Sequence, residues 1–162
     1  GVGGAIGIYL GGRVADFMAA RRGQQWLPWV VALSSLMTLP LLYLTFMAQT
    51  PMAAIAAYAL PAMFGTLYVA PGFALIQNST PLEMRSVAAA INLFITNIIG
   101  LGLGPFSVGL FSDLFAQSYG ADGLRWGLTT TIIILLWGVF HYWRCGVMIK
   151  RQFADALSPQ RV

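Results

Sequence analysis

An all-helical membrane protein is the fold class this sequence predicts, and three observations carry the prediction. Charged residues make up 9% of the chain and hydrophobic residues 58%, with a mean hydropathy of +0.74. Soluble domains carry roughly one quarter charged residues, so a soluble fold would lack polar surface. The apolar residues also gather into long uncharged runs without the polar stripe of a soluble helix. Finally, no stretch alternates apolar and polar residues as the strands of a membrane barrel do.

The elements follow in order. Residues 1–12 form an apolar run that would rise about 18 Å as a helix, short of a hydrocarbon core of roughly 30 Å. Its beginning is therefore expected upstream. No basic stretch and cleavage site precede it, so the chain is expected to be an internal or C-terminal piece rather than one opening on a signal peptide. Residues 13–26 read as a polar joint holding Arg13, Asp16, Arg21 and Arg22. Residues 27–48 carry no charge and would reach about 33 Å, enough to span. Residues 52–79 are uncharged and contain Pro61 and Pro71 with Gly65 and Gly72 nearby, the composition of a helix that breaks or bends. In 87–111, Gly100, Gly104, Pro105 and Gly109 mark a second flexible point, because proline removes a backbone donor. The last span is 124–145, and 146–162 reads as a tail.

Basic residues orient these spans. Arg13, Arg21 and Arg22 fall in the first joint, Arg85 in the third, and Arg144, Lys150, Arg151 and Arg161 near or in the tail. Residues 49–51 carry no charge, and 112–123 hold only Asp113 and Asp122. The positive-inside rule makes the first joint, the third joint and the C-terminus cytoplasmic. Trp26, Trp29, Trp126, Tyr142 and Trp143 sit where interfacial anchors belong. The basic residues are divided among separated joints rather than gathered on one face, so nucleic acid is not a predicted partner.

Catalytic and metal chemistry find little support. A single histidine, His141, cannot build a paired-histidine metal site, and Cys145 has no second cysteine. No phosphate-cradling glycine loop is present, and neither metal nor cofactor is expected. Asn78-Ser79-Thr80 matches a glycosylation sequon, but at a cytoplasmic end the modification does not occur. The glycines have a packing meaning instead: Gly3, Gly7 and Gly11, like Gly100 and Gly104, recur every four residues, which lets membrane helices approach closely. Asn92 and Thr96 share one helix face and Asn97 faces elsewhere; each either bonds a neighbouring helix or lines a hydrated cavity. Phe64 and Tyr68 are candidate walls of the same cavity.

Gly12-Arg13-Val14-Ala15-Asp16 with Arg21-Arg22 resembles the loop signature of the major facilitator superfamily, in its C-terminal-half copy between helices 8 and 9. Pro81-Leu82-Glu83-Met84-Arg85-Ser86, Asn92 and the run from Asn97 to Asp113 are similar to helix 11 of spinster-like transporters. The resemblance implies part of the C-terminal six-helix bundle of a twelve-helix fold, covering helices 8 to 12, with an N-terminal half outside this chain. It implies secondary transport of a small molecule across a lipid bilayer by alternating access, in a bacterial inner membrane. It makes Gly12, Asp16, Arg21, Arg22 and Arg85 a candidate cytoplasmic gate and a proton a candidate coupling ion. No carboxylate lies at mid-membrane depth, and Asp113 is the nearest. A cavity with amides and tyrosines but no buried charge fits an amphipathic or lipid-like substrate; a polar organic anion or a sugar is the alternative. A non-transporting scaffold and a polytopic membrane enzyme are the readings from other classes.

Overall fold

A computed structural model describes residues 1–157; Arg161 of the tail lies outside the described residues. The helices are α1 (Val2–Arg22), α2 (Trp26–Phe46), α3 (Pro51–Phe64), α4 (Val69–Asn78), α5 (Arg85–Ile95), α6 (Gly104–Tyr119) and α7 (Gly123–Leu157). A π-helical segment, Thr96–Leu103, joins α5 to α6, and short 3-10 turns cover Leu82–Met84 and Gly120–Asp122. No strand occurs among the described residues.

Two boundaries differ from expectation. Most of the joint expected at 13–26 is helix, since α1 continues to Arg22, and the expected tail from 146 onward continues α7 to Leu157. The apolar run ends where the membrane would end, but a backbone ladder continues wherever charged residues still favour helix. Within α1, the Arg13 guanidinium lies 6.0 Å from the Tyr9 ring centre and that of Arg21 4.2 Å from Phe17. Both are helical neighbours four residues apart, and the cations shield aromatic surface while their heads reach water. Arg21 and Arg22 also complement the negative end of the helix. Gly23 stops α1 at a φ of 97°, which a side chain would resist, with its N–H on the Ala19 carbonyl at 3.0 Å. With 35 residues, α7 is about 52 Å long and therefore projects past one membrane face.

Helices α2 and α7 run antiparallel and are tied at both ends. At one end Trp29 Nε1 donates to the Trp143 carbonyl at 3.2 Å, and the two rings stack at 5.5 Å. Gly146 admits the Trp29 indole, onto which any Cβ there would fall. At the other end Arg125 Nη2 donates to the Ala48 carbonyl at 3.0 Å. Few apolar side chains are buried: Ala15, Leu27 and Val30 form one cluster with Ala74 and Leu75 packed against it, and Val31, Ala32 and Leu39 are buried further along α2. Elsewhere large apolar side chains face outward, including Met52 at 76% and Leu101 at 73% exposure. Water would penalise such a surface, whereas lipid solvates it, and α2 alone is 21 residues at a mean hydropathy of 1.7. The chain is an integral membrane protein.

Candidate functional site

The irregular backbone expected around Pro61 and Pro71 is a full break between α3 and α4. Gly65 N–H still reaches the Pro61 carbonyl at 2.7 Å, but Thr66 and Leu67 bond three residues back, to Met63 at 3.3 Å and Phe64 at 3.2 Å. Pro71 has no N–H for the Leu67 carbonyl. The opened backbone is covered by α1. Any Cβ at Gly7 would fall on the Met63 carbonyl and one at Gly11 on the Leu67 carbonyl. The Thr66 hydroxyl lies 3.0 Å from both the Gly4 and Met63 carbonyls. Gly7 and Gly11 thus pack against the break itself, while Gly3 lies against Ala59 and Ala62 of α3. The pair Gly100 and Gly104 does otherwise: atoms near a Cβ built there belong to their own helical segment.

On the side of the break away from α1, two small hollows meet at Tyr68 and Tyr142. One, of about 250 Å³, is lined by those tyrosines with Gly72, Phe73, Asn92 and Thr96. The other, of about 240 Å³, adds Ser35, Thr38, Gly65 and Leu135. Both have mostly apolar walls and no charged residue in their lining. The Thr38 hydroxyl donates to the Ser34 carbonyl at 2.8 Å, so its proton is used within α2. The Asn92 amide makes no hydrogen bond among the described residues and is half-buried, leaving its donors and acceptor for a ligand or water.

The structure therefore brings Tyr68, Asn92 and Thr96 together and leaves Phe64 and Asn97 out. Asn97 turns back on its own helix, Nδ2 donating to the Leu93 carbonyl at 2.7 Å. Tyr142, expected at the interface as an anchor, lines both hollows instead. Thr38 and Ser35 were not among the expected residues, although Ser34 and Thr38, four apart in an uncharged span, were a visible signal. Of the expected gate, Asp16 is exposed within α1, six residues before its end, and forms no ion pair with Arg13, Arg21, Arg22 or Arg85 among the described residues. Gly12 packs beside α4, 3.4 Å from the Ala70 methyl for a Cβ built on it. His141 Nδ1 donates to the Trp137 carbonyl at 3.0 Å and its ring lies 4.6 Å from that indole. No group of metal-ligating side chains exists among the described residues.

Uncharged spans, a broken helix buried against a glycine stripe and a polar-spotted hollow beside it define a polytopic helical membrane protein with irregular backbone at depth. The chain is similar to an MFS-type efflux pump of Mycolicibacterium smegmatis (strain ATCC 700084 / mc(2)155), 33% identical over 153 residues. The match covers 94% of this chain and 35% of that protein, so the chain spans about a third of the length of the curated relative it matches. The similarity supports membership of the major facilitator superfamily. No protein-family model and no solved structure matches the chain.

Proposed function

We propose that the chain is the helix 8 to 12 portion of a spinster-like secondary transporter that exports an amphipathic, lipid-like small molecule by alternating access. The observation that carries this reading is the paired hollow at Tyr68 and Tyr142, apolar on most of its wall and uncharged throughout. Apolar walls bind an acyl or ring portion, and the Asn92 amide with the tyrosine hydroxyls binds a single polar group. A sugar or an organic anion would leave its hydroxyls or charge against that wall without partners. The broken α3–α4 span and the π-helical segment supply backbone able to change shape between states. Export is the direction named for the relative. Gly12, Asp16, Arg21, Arg22 and Arg85 form the cytoplasmic gate in this reading, with the C-terminus cytoplasmic and the protein in a bacterial inner membrane. A proton is the coupling ion, taken up by a carboxylate outside this chain's spans.

The test is flux in proteoliposomes holding the full-length transporter, with a fluorescent lysophospholipid, a cationic dye and a sugar as substrates. The amphipaths are expected to move and the sugar not. Asn92→Leu removes one hydrogen-bonding group of about 0.5 to 1.5 kcal/mol, so KM for the lysophospholipid should rise about two- to twelvefold. Sugar flux without amphipath flux, or an unchanged KM, refutes the assignment.

A further inference from the structure

At the tryptophan-bearing end of the bundle lies another hollow, separate from the one at Tyr68 and Tyr142. Its volume is about 570 Å³, and it opens where the α1–α2 link, the end of α4, the start of α5 and the projecting part of α7 meet. Gln24, Asn78, Ser79, Arg85 and Gln152 supply its polar lining, with no carboxylate among the lining residues.

The hydrogen bonds leave several donors of this hollow available, beside the amide oxygens of Asn78 and Gln152. Asn78 Nδ2 donates to Gln24 Oε1 at 3.3 Å, which turns the Gln24 oxygen towards Asn78 and leaves its amide N–H groups available. The carbonyls closing α4 are occupied by local donors: Leu75 by the Ser79 N–H at 3.0 Å, Gln77 by the Thr80 N–H at 3.3 Å. The Ile76 carbonyl accepts the Thr80 hydroxyl at 2.6 Å. Arg85 donates through Nε to the Thr80 carbonyl at 3.4 Å, which fixes the guanidinium and leaves both terminal amino groups. It is half-buried and makes no ion pair among the described residues. A half-buried cation in a donor-lined hollow is satisfied by an anion with several acceptor oxygens, and phosphate has that chemistry. A second hollow of about 440 Å³ adjoins through Ser79 and Gln152 and brings Arg144 to the same region.

Two features select a lipid over a free ion. One wall is apolar, with Leu75 and a Phe153 that is 52% exposed. The hollow also includes Leu27, next in sequence to Trp26, whose ring meets Trp29 at 5.4 Å in the aromatic cluster of that end. Such a cluster marks headgroup depth. We propose that this hollow binds the phosphate of an anionic phospholipid, with Arg85 as its main contact and the acyl chain along Leu75 and Phe153. The site shares Arg85 with the proposed gate, but its test reads lipid retention and not transport.

Native mass spectrometry of the purified protein in detergent, titrated with phosphatidylglycerol or phosphatidylcholine, tests it with Arg85→Gln, Arg85→Lys and Gln152→Leu beside wild type. Phosphatidylglycerol should be retained over phosphatidylcholine. Arg85→Gln should lose about fivefold in phosphatidylglycerol affinity, Arg85→Lys should keep most of it, and Gln152→Leu should lose about twofold. Should Arg85→Gln fail to fold, which lipid-free thermal midpoints reveal, Arg85→Lys and Gln152→Leu still decide. Equal binding of the two lipids, or equal affinity in wild type and the folded Gln variant, overturns the proposal. Displacement of phosphatidylglycerol by millimolar inorganic phosphate overturns the lipid source and leaves a free-anion site.

Discussion

Substituting Gly11 by alanine tests the seam between α1 and the broken helix. The added methyl would meet the Leu67 carbonyl oxygen, with the carbonyl carbon at 2.8 Å and Cα at 3.0 Å. These are backbone atoms beside Pro71, which is buried, so no flexible side chain can swing aside. The helices must separate, which costs about 3 kcal/mol, the upper end for overpacking. Alanine recovers about 1 kcal/mol of helix propensity, leaving a net loss of about 2 kcal/mol. Gly4, one turn from Gly7 on the same helix, provides the control: a Cβ there meets only the Thr66 methyl at an ordinary 3.6 Å. Gly4→Ala should therefore be neutral or stabilising by up to about 1 kcal/mol. With the two variants purified side by side in detergent, the thermal midpoint of Gly11→Ala should fall by about 4 to 8 °C and that of Gly4→Ala should hold or rise. Equal midpoints would show that α1 does not rest on the break.

Two further outcomes follow from the same contacts. Trp29→Phe removes the donor to the Trp143 carbonyl while keeping a ring above Gly146, so the thermal midpoint should fall by about 2 to 4 °C for a loss near 1 kcal/mol; an unchanged midpoint would mean that the 3.2 Å bond contributes nothing. For the proposed gate, Asp16→Asn should change the ratio of inward to outward states by about two- to fivefold, the range of a carboxylate meeting the N-terminus of another helix at an exposed site, read by cysteine accessibility in the full-length transporter. No change there would leave Asp16 a solvated residue that only helps set topology.

Spans and breaks were legible because hydropathy and proline act locally. The uncharged run 27–48 appears as Trp26–Phe46, and Pro61 with Pro71 brackets the break between α3 and α4. Helix ends were less legible where charge begins, since Arg13 and Arg21 end an apolar run yet extend a helix by lying over Tyr9 and Phe17. The glycines show the limit most clearly. Gly7 with Gly11, and Gly100 with Gly104, have the same spacing, but only the first pair meets another helix among the described residues. Spacing shows that close approach is possible; the partner depends on which helices the topology places alongside. Tyr142 escaped for a related reason, because an aromatic near a helix end suits an interfacial anchor and a cavity wall equally.

The break has two faces, and their difference constrains how it can move. On one face the carbonyls of Met63, which takes the Thr66 N–H, and of Leu67 rest on the Gly7 and Gly11 backbone, so irregular backbone is sheltered by protein rather than lipid. On the other, Gly65 and Tyr68 line the hollows. A ligand that displaces Tyr68 acts on a segment of four residues, 65–68, whose opposite side is pressed against α1. A close-packed seam of backbone on backbone has little slack, so displacement passes to α1 as movement of a rigid helix. That helix runs without interruption from Gly11 through Ala15, buried in the core, to Asp16. The distance from cavity to proposed gate is thus bridged by one packed contact and about one and a half turns of helix. Because the seam also fixes the resting position of α1, any change that loosens it should alter stability and state preference together.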